Sequence, residues 1–271
     1  MNGQSKLEHV LSRPNRLIIA SLVLLTGFAW LELFSSGSAG PILLHHAHHA
    51  HLSLAQPAAS TRPLRESGIL LVMWLVMAVA MMLPTAAPAI LSFADVSRAA
   101  EQAHPTGRTA AFVLGYLFAW SGFAALAAAT QLELATAGHY LSAFKLERPL
   151  LGAAVLIGAG LYQFSALKEI CLTQCRSPMM FFLAHWRDGA RGAMYLGLRH
   201  GIECVGCCWA LMALMLFAGA TSVAWTAGLS ALMLTEKIAP GGRKVARALG
   251  LALIVCGSVL IAFAFFHGEA S

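Results

Sequence analysis

Between Glu66 and Asp95 the chain runs for 28 residues without a charged side chain. At 1.5 Å of helical rise per residue, about 20 apolar residues already cross the ~30 Å hydrocarbon core of a bilayer. In lipid the backbone N–H and C=O groups must be satisfied within the segment, and a helix does that. Further uncharged runs lie at 17–31, 109–132, 149–167 and 204–235. Only 11% of the residues are charged and 58% are hydrophobic, whereas soluble domains carry about 25% charged residues. The expected fold is therefore all-α: a polytopic transmembrane helix bundle of about seven spans. We place these at Leu17–Phe34, Ser67–Phe93, Thr109–Gln131, Pro149–Leu167, Tyr195–Ala220, Thr221–Glu236 and Ala246–Phe266. Residues 1–16 form a polar N-terminal segment, residues 17–271 a single membrane domain, and residues 35–66 a loop.

Charge orients this arrangement. With the N-terminus in the cytoplasm, seven spans leave only Arg62, Arg65, Lys145 and Arg148 outside, four of the 18 Lys and Arg residues. That is the positive-inside pattern of a bacterial inner-membrane protein. The net charge of +6 thus reflects orientation, and no basic stretch with interleaved aromatics points to nucleic acid. Residues 179–200, with Phe181, Phe182, Trp186, Arg187, Arg191 and Arg199, read as an amphipathic stretch lying in the interface. Pro84 and Pro88 are expected to kink or end the second span.

The chemistry lies in sulfur. Cys204, Cys207 and Cys208 share one helical face at the start of the fifth span. Met212 and Met215 follow near the same face, and Trp209 points away. Upstream, Cys171 and Cys175 are four residues apart and share a face of their own. Lys168 and Arg176 flank them, and nearby positive charge favours the metal-binding thiolate. Soft thiolates and thioethers suit Cu(I), and less selectively Zn(II) or another soft metal. Cysteine and methionine also fill packing gaps, the plainer reading of any one of them. Cys256, alone in the last span, reads as packing.

Met73, Met77 and Met81 repeat every four residues in the second span, neutral soft donors that need no buried charge. The loop before it holds His45, His46, His48, His49 and His51, a compositional metal-binding tract. Placed outside, it would gather metal, with the methionines as a path and the cysteines as the site near the inner face. The reverse direction is equally open. Glu203 and Glu236, near span ends, are either functional acids or solvated caps.

Three motifs carry a resemblance. Met-Trp-Leu-Val-Met-Ala-Val-Ala-Met-Met-Leu-Pro at 73–84, Leu-Lys-Glu-Ile-Cys-Leu-Thr-Gln-Cys-Arg-Ser-Pro at 167–178 and Cys-Val-Gly-Cys-Cys-Trp-Ala-Leu-Met at 204–212 occur in order, followed by Glu236-Lys237. Over about residues 67–265 the chain resembles a bacterial family described as predicted metal-binding integral membrane proteins. The resemblance implies a membrane location and metal binding, and no catalysis.

The resulting expectation is a membrane protein that handles a soft metal, foremost Cu(I), by transport or by delivery to a copper enzyme. Its partners would be the lipid bilayer, the metal ion, and a copper chaperone or metalloenzyme; it is not expected to be an enzyme by itself. Two alternatives remain: a membrane thiol–disulfide oxidoreductase, and an integral subunit of an oxidase or oxygenase. No hydrolase signature and no phosphate-binding glycine loop is present.

Overall fold

The computed structural model describes residues 13–37, 62–100, 105–141, 147–218 and 223–268. Every regular element among them is a helix: α1 (Arg13–Gly37), α2 (Arg62–Ala99), α3 (Pro105–Leu141), α4 (Glu147–Tyr162), α5 (Ala166–Arg176), α6 (Pro178–His185), α7 (Gly189–Ala213), α8 (Met215–Ala218), α9 (Val223–Ile238) and α10 (Gly242–Gly268). Four stretches are long and apolar enough to cross a membrane: Asn15–Ser35, Ser67–Ala99, Pro105–Leu134 and Gly242–Phe266. The pair α4–α5 makes a fifth if a bent span is counted. The expected fifth and sixth spans fall short of that standard. Helix α9 has only 16 residues, and α7 carries Arg191, Arg199, His200 and Glu203 before it breaks at Leu214. Helices α1 and α10 leave Leu24, Phe28, Leu31, Leu251, Phe263 and Phe266 exposed, an apolar surface compatible with lipid contact.

Helix α2 does not end at its prolines: it runs through both Pro84 and Pro88. Proline has no N–H, so Pro84 strips the Ala80 carbonyl of its helical partner. The Trp30 indole of α1 replaces it, donating to that carbonyl at 3.1 Å. At the other end of the pair, Asn15 and Arg98 both bond Asp95, and Arg98 also donates to Asn15. Helices α1 and α2 are therefore antiparallel. Past Phe93 the helix carries Asp95 and Arg98 into this cluster.

Close backbone approach fixes the centre of the bundle. A Cβ at Gly197 of α7 would strike the Phe112 carbonyl of α3, and one at Gly201 would lie 2.7 Å from the Ala119 Cβ. Small residues one turn apart let two helices meet backbone to backbone. The contacts climb both helices together, so α3 and α7 run parallel. Helices α4 and α10 meet the same way but antiparallel, with Gly160 against Gly250 and Gly257 against Ala153.

One further sequence expectation changes. The fourth span stops short of the Leu167 expected as its end. It ends at Tyr162, and α5 leaves at 62° after the turn at Gln163–Ser165. The Ser165 hydroxyl caps α5 by accepting from the Lys168 N–H at 3.1 Å. The aromatic segment packs one face into the bundle and leaves Met180 and Leu183 exposed on the other. Phe181 and Phe182 of α6 are buried. Phe182 packs edge-on against Phe93 at 5.6 Å, and Phe93 stacks on Phe112 at 4.7 Å. The chain then turns into α7 at Gly189, whose φ of 84° suits a residue without a Cβ.

Candidate metal centre

The bend after α4 lays α5 across α7 and brings the two cysteine motifs together. Cys175 Sγ stands 3.9 Å from Cys207 Sγ, and Cys207 Sγ stands 3.3 Å from Cys208 Sγ. Cys171 joins from the next turn of α5. A Cβ at Gly206 would lie 2.7 Å from its sulfur, so the glycine of Cys-Val-Gly-Cys-Cys is the slot that admits α5. The Tyr162 hydroxyl clamps the same spot by donating to the Gly206 carbonyl. All five thiols are free, and only Cys175 is not fully buried.

Cys204 has different company. Its sulfur lies 3.1 Å from the Tyr116 hydroxyl of α3 and accepts from Lys237 Nζ of α9 at 3.0 Å. Lys237 also donates to the Thr85 hydroxyl of α2 at 2.9 Å. The Tyr116 hydroxyl is 3.0 Å from the Met82 carbonyl as well, so its single proton serves either that oxygen or the sulfur. Four helices thus meet at one sulfur. His200, one turn before Cys204, sits among the rings of Phe112, Tyr116 and Phe181 at 5.5–6.0 Å. Its Nδ1 has no hydrogen-bond partner among the described residues.

The cation at the thiols is not the one expected from the sequence. Lys168 turns away to pair with Glu236 at 2.7 Å and to donate to Gln163. Arg176 binds the carbonyls of Glu236 and Ala239, closing the end of α9. Lys237 takes the place at the sulfur. Glu236 is accordingly neither a solvated cap nor a group facing the thiols; its side chain is 2% exposed and anchors the turn after α9. Glu203 pairs with Arg199 at 3.5 Å on the half-exposed side of α7.

The remaining sequence candidates are scattered. Met212 is buried near the end of α7, and Met215 is buried after the break, with its sulfur 4.0 Å from the Thr226 hydroxyl. Met73, Met77 and Met81 are all buried in α2, together with Met82. The neighbouring Met82 carbonyl reaches Cys204 by two described routes, through Tyr116 and through Thr85 and Lys237. His45, His46, His48, His49 and His51 lie outside the described residues. Cys256 is exposed on α10, which removes the packing role expected for it. Trp209 points outward, 43% exposed, with its ring 5.0 Å from Tyr162.

Sequence reasoning missed Tyr116, Thr85 and His200. Tyr116 follows Gly115, which also touches α7; a lone hydroxyl beside a helix-contact glycine was the available signal. His200 lies four residues before Cys204, the spacing that puts both on one face. Thr85 gave no signal.

Among the described residues, no three His, Cys, Asp or Glu side chains already share a metal position. The cross-helix pair nevertheless suits a shared ion. At a metal–sulfur distance of about 2.3 Å, two sulfurs 3.9 Å apart subtend about 115°. The 3.3 Å pair would subtend only about 90° and would have to open.

A family model described as PpoB2, copper chaperone, matches residues 71–260. The chain belongs to this family. The family description ties the chain to copper, and the match runs from the start of the methionine stripe to the last helix, enclosing both cysteine motifs. No curated protein and no solved structure matches the chain.

Proposed function

We propose that this chain is a membrane copper handler that takes Cu(I) as cargo on the thiolates of Cys175 and Cys207, with Cys204 beside them, and passes it to a copper enzyme or across the membrane. The observation that carries this reading is the 3.9 Å approach of Cys175 and Cys207 from two different helices. Two or three soft thiolates hold Cu(I) well, whereas structural zinc prefers four ligands. The copper family agrees with that donor set. Cys171 and Cys208 serve as neighbouring donors, and Met212 and Met215 as softer ones beyond. Seven crossings, with α7 and α9 as shielded inner spans and the N-terminus in the cytoplasm of a bacterial inner membrane, fit the charge distribution. The outer His45–His51 tract and the Met73–Met81 stripe then serve as collection and passage.

Burial weighs against the oxidoreductase alternative. Thiol–disulfide exchange requires access for an attacking thiolate, and Cys204, Cys207 and Cys208 are each 1% exposed.

The test is metal content of the full chain purified in mild detergent without oxygen, with Cu(I) supplied from a competing chelator. About one tightly held copper per chain is expected. It should survive Cys256→Ser and replacement of the five loop histidines, and be lost in Cys175→Ser/Cys207→Ser. Copper retained at full stoichiometry by the double variant would refute the site.

A further inference from the structure

We infer that Lys237 is the charge selector of this thiol site, making it prefer a monovalent metal ion over a divalent one. The inference rests on the thiolate reading above and deepens it. Lys237 is 7% exposed, and its ammonium touches one hydroxyl, Thr85 at 2.9 Å, and one sulfur, Cys204 at 3.0 Å. No described carboxylate pairs with it; its neighbour Glu236 is taken by Lys168. Arg176 is also committed elsewhere, to the carbonyls that end α9. The Lys168–Glu236 pair cancels internally, so among the described residues the ammonium of Lys237 is the unpaired cation in direct contact with a sulfur.

Thiols must shed their protons to bind metal. Two thiolates carry two negative charges. Cu(I) supplies one positive charge and Lys237 the other, and the occupied site is neutral. The same two thiolates with Zn(II) and Lys237 carry a net positive charge, which is costly to bury. A third thiolate would cancel it, but Cys208 stands too close to Cys207 for an ordinary metal angle, Cys204 is held by Lys237 and Tyr116, and among the described residues no three donors already converge. The preference therefore comes from a fixed cation as well as from the softness of sulfur. Lys237 is a positioning residue here, acting on the ligand field's charge without being a ligand.

Charge-swapped selectivity tests this. Cu(I) and Zn(II) affinities are measured separately by chelator competition on the full chain in detergent, for wild type, Lys237→Met and Lys237→Arg. Lys237→Met should raise the Zn(II)-to-Cu(I) affinity ratio by at least about tenfold, the scale of one unit charge removed from within a few ångströms. Lys237→Arg should stay near wild type. If Lys237→Met is not recovered folded, Lys237→Gln removes the same charge while keeping a donor for Thr85. A ratio that does not move in a folded neutral variant, with both affinities unchanged or falling together, overturns the assignment and leaves copper binding intact. Wild-type protein that binds neither ion removes the thiolate reading and this inference with it.

Discussion

Removing Lys168 while leaving Glu236 should be among the most damaging single changes in the bundle. The two side chains are each 2% exposed and 2.7 Å apart. At an effective dielectric constant of about 20, their gross attraction is about 6 kcal/mol. Desolvating two ions costs several kcal/mol each, so the intact pair contributes close to nothing net. Breaking it is another matter. Lys168→Met strands a buried carboxylate whose Oε1 has no other partner among the described residues, at a cost of about 3–5 kcal/mol. Lys168→Met/Glu236→Met removes both charges and should recover most of that loss. The assay is the unfolding free energy of Lys168→Met, Glu236→Met and the double variant in mixed micelles, set against wild type as a double-mutant cycle. A Lys168→Met protein within about 1 kcal/mol of wild type, or a double variant equal to the sum of the singles, would refute the reasoning. Because the pair anchors the turn beside Lys237, the single variant should also disturb metal selectivity, whereas the double variant should do so less.

Trp30→Phe leaves the Ala80 carbonyl bare and should cost about 1–3 kcal/mol in the same micelle assay; adding Pro84→Ala, which restores an N–H to that carbonyl, should shrink the loss. Gly197→Ala drives a methyl group into the Phe112 carbonyl and should cost about 1–3 kcal/mol. It should also weaken copper binding by drawing Tyr116 off Cys204, whereas Gly122→Ala, which meets open space, should do neither.

The spacing of the cysteines told which thiols could share a face, and Cys175, Cys207 and Cys208 do meet. It could not tell that the fourth apolar run breaks at Gln163–Ser165, because an apolar run reads alike whether straight or bent. That bend, rather than either motif alone, assembles the site. Cations were harder to read. Lys168 lies on the same helical face as Cys171 and Cys175, but its long side chain leans toward the N-terminus of α5 and reaches Gln163 and Glu236. Lys237 looked like a span-end charge, since a sequence does not show that the end of α9 folds against α2 and α7. That α2 would not end at its prolines was illegible for a similar reason: the donor that serves the carbonyl freed by Pro84 sits 50 residues away in Trp30.

The two sulfurs that face each other come from two different helices, α5 and α7, 32 residues apart along the chain. An ion held between Cys175 and Cys207 would therefore act as a removable cross-link, closing a loop much as a disulfide does. Loops of that length gain about 3–5 kcal/mol from closure. Cargo and architecture become one quantity: loading staples the arm of α5 to α7, and unloading cuts the staple. The melting temperature then reports occupancy, and a receiver of the ion must supply enough free energy to open the loop as well as to outbid the sulfurs.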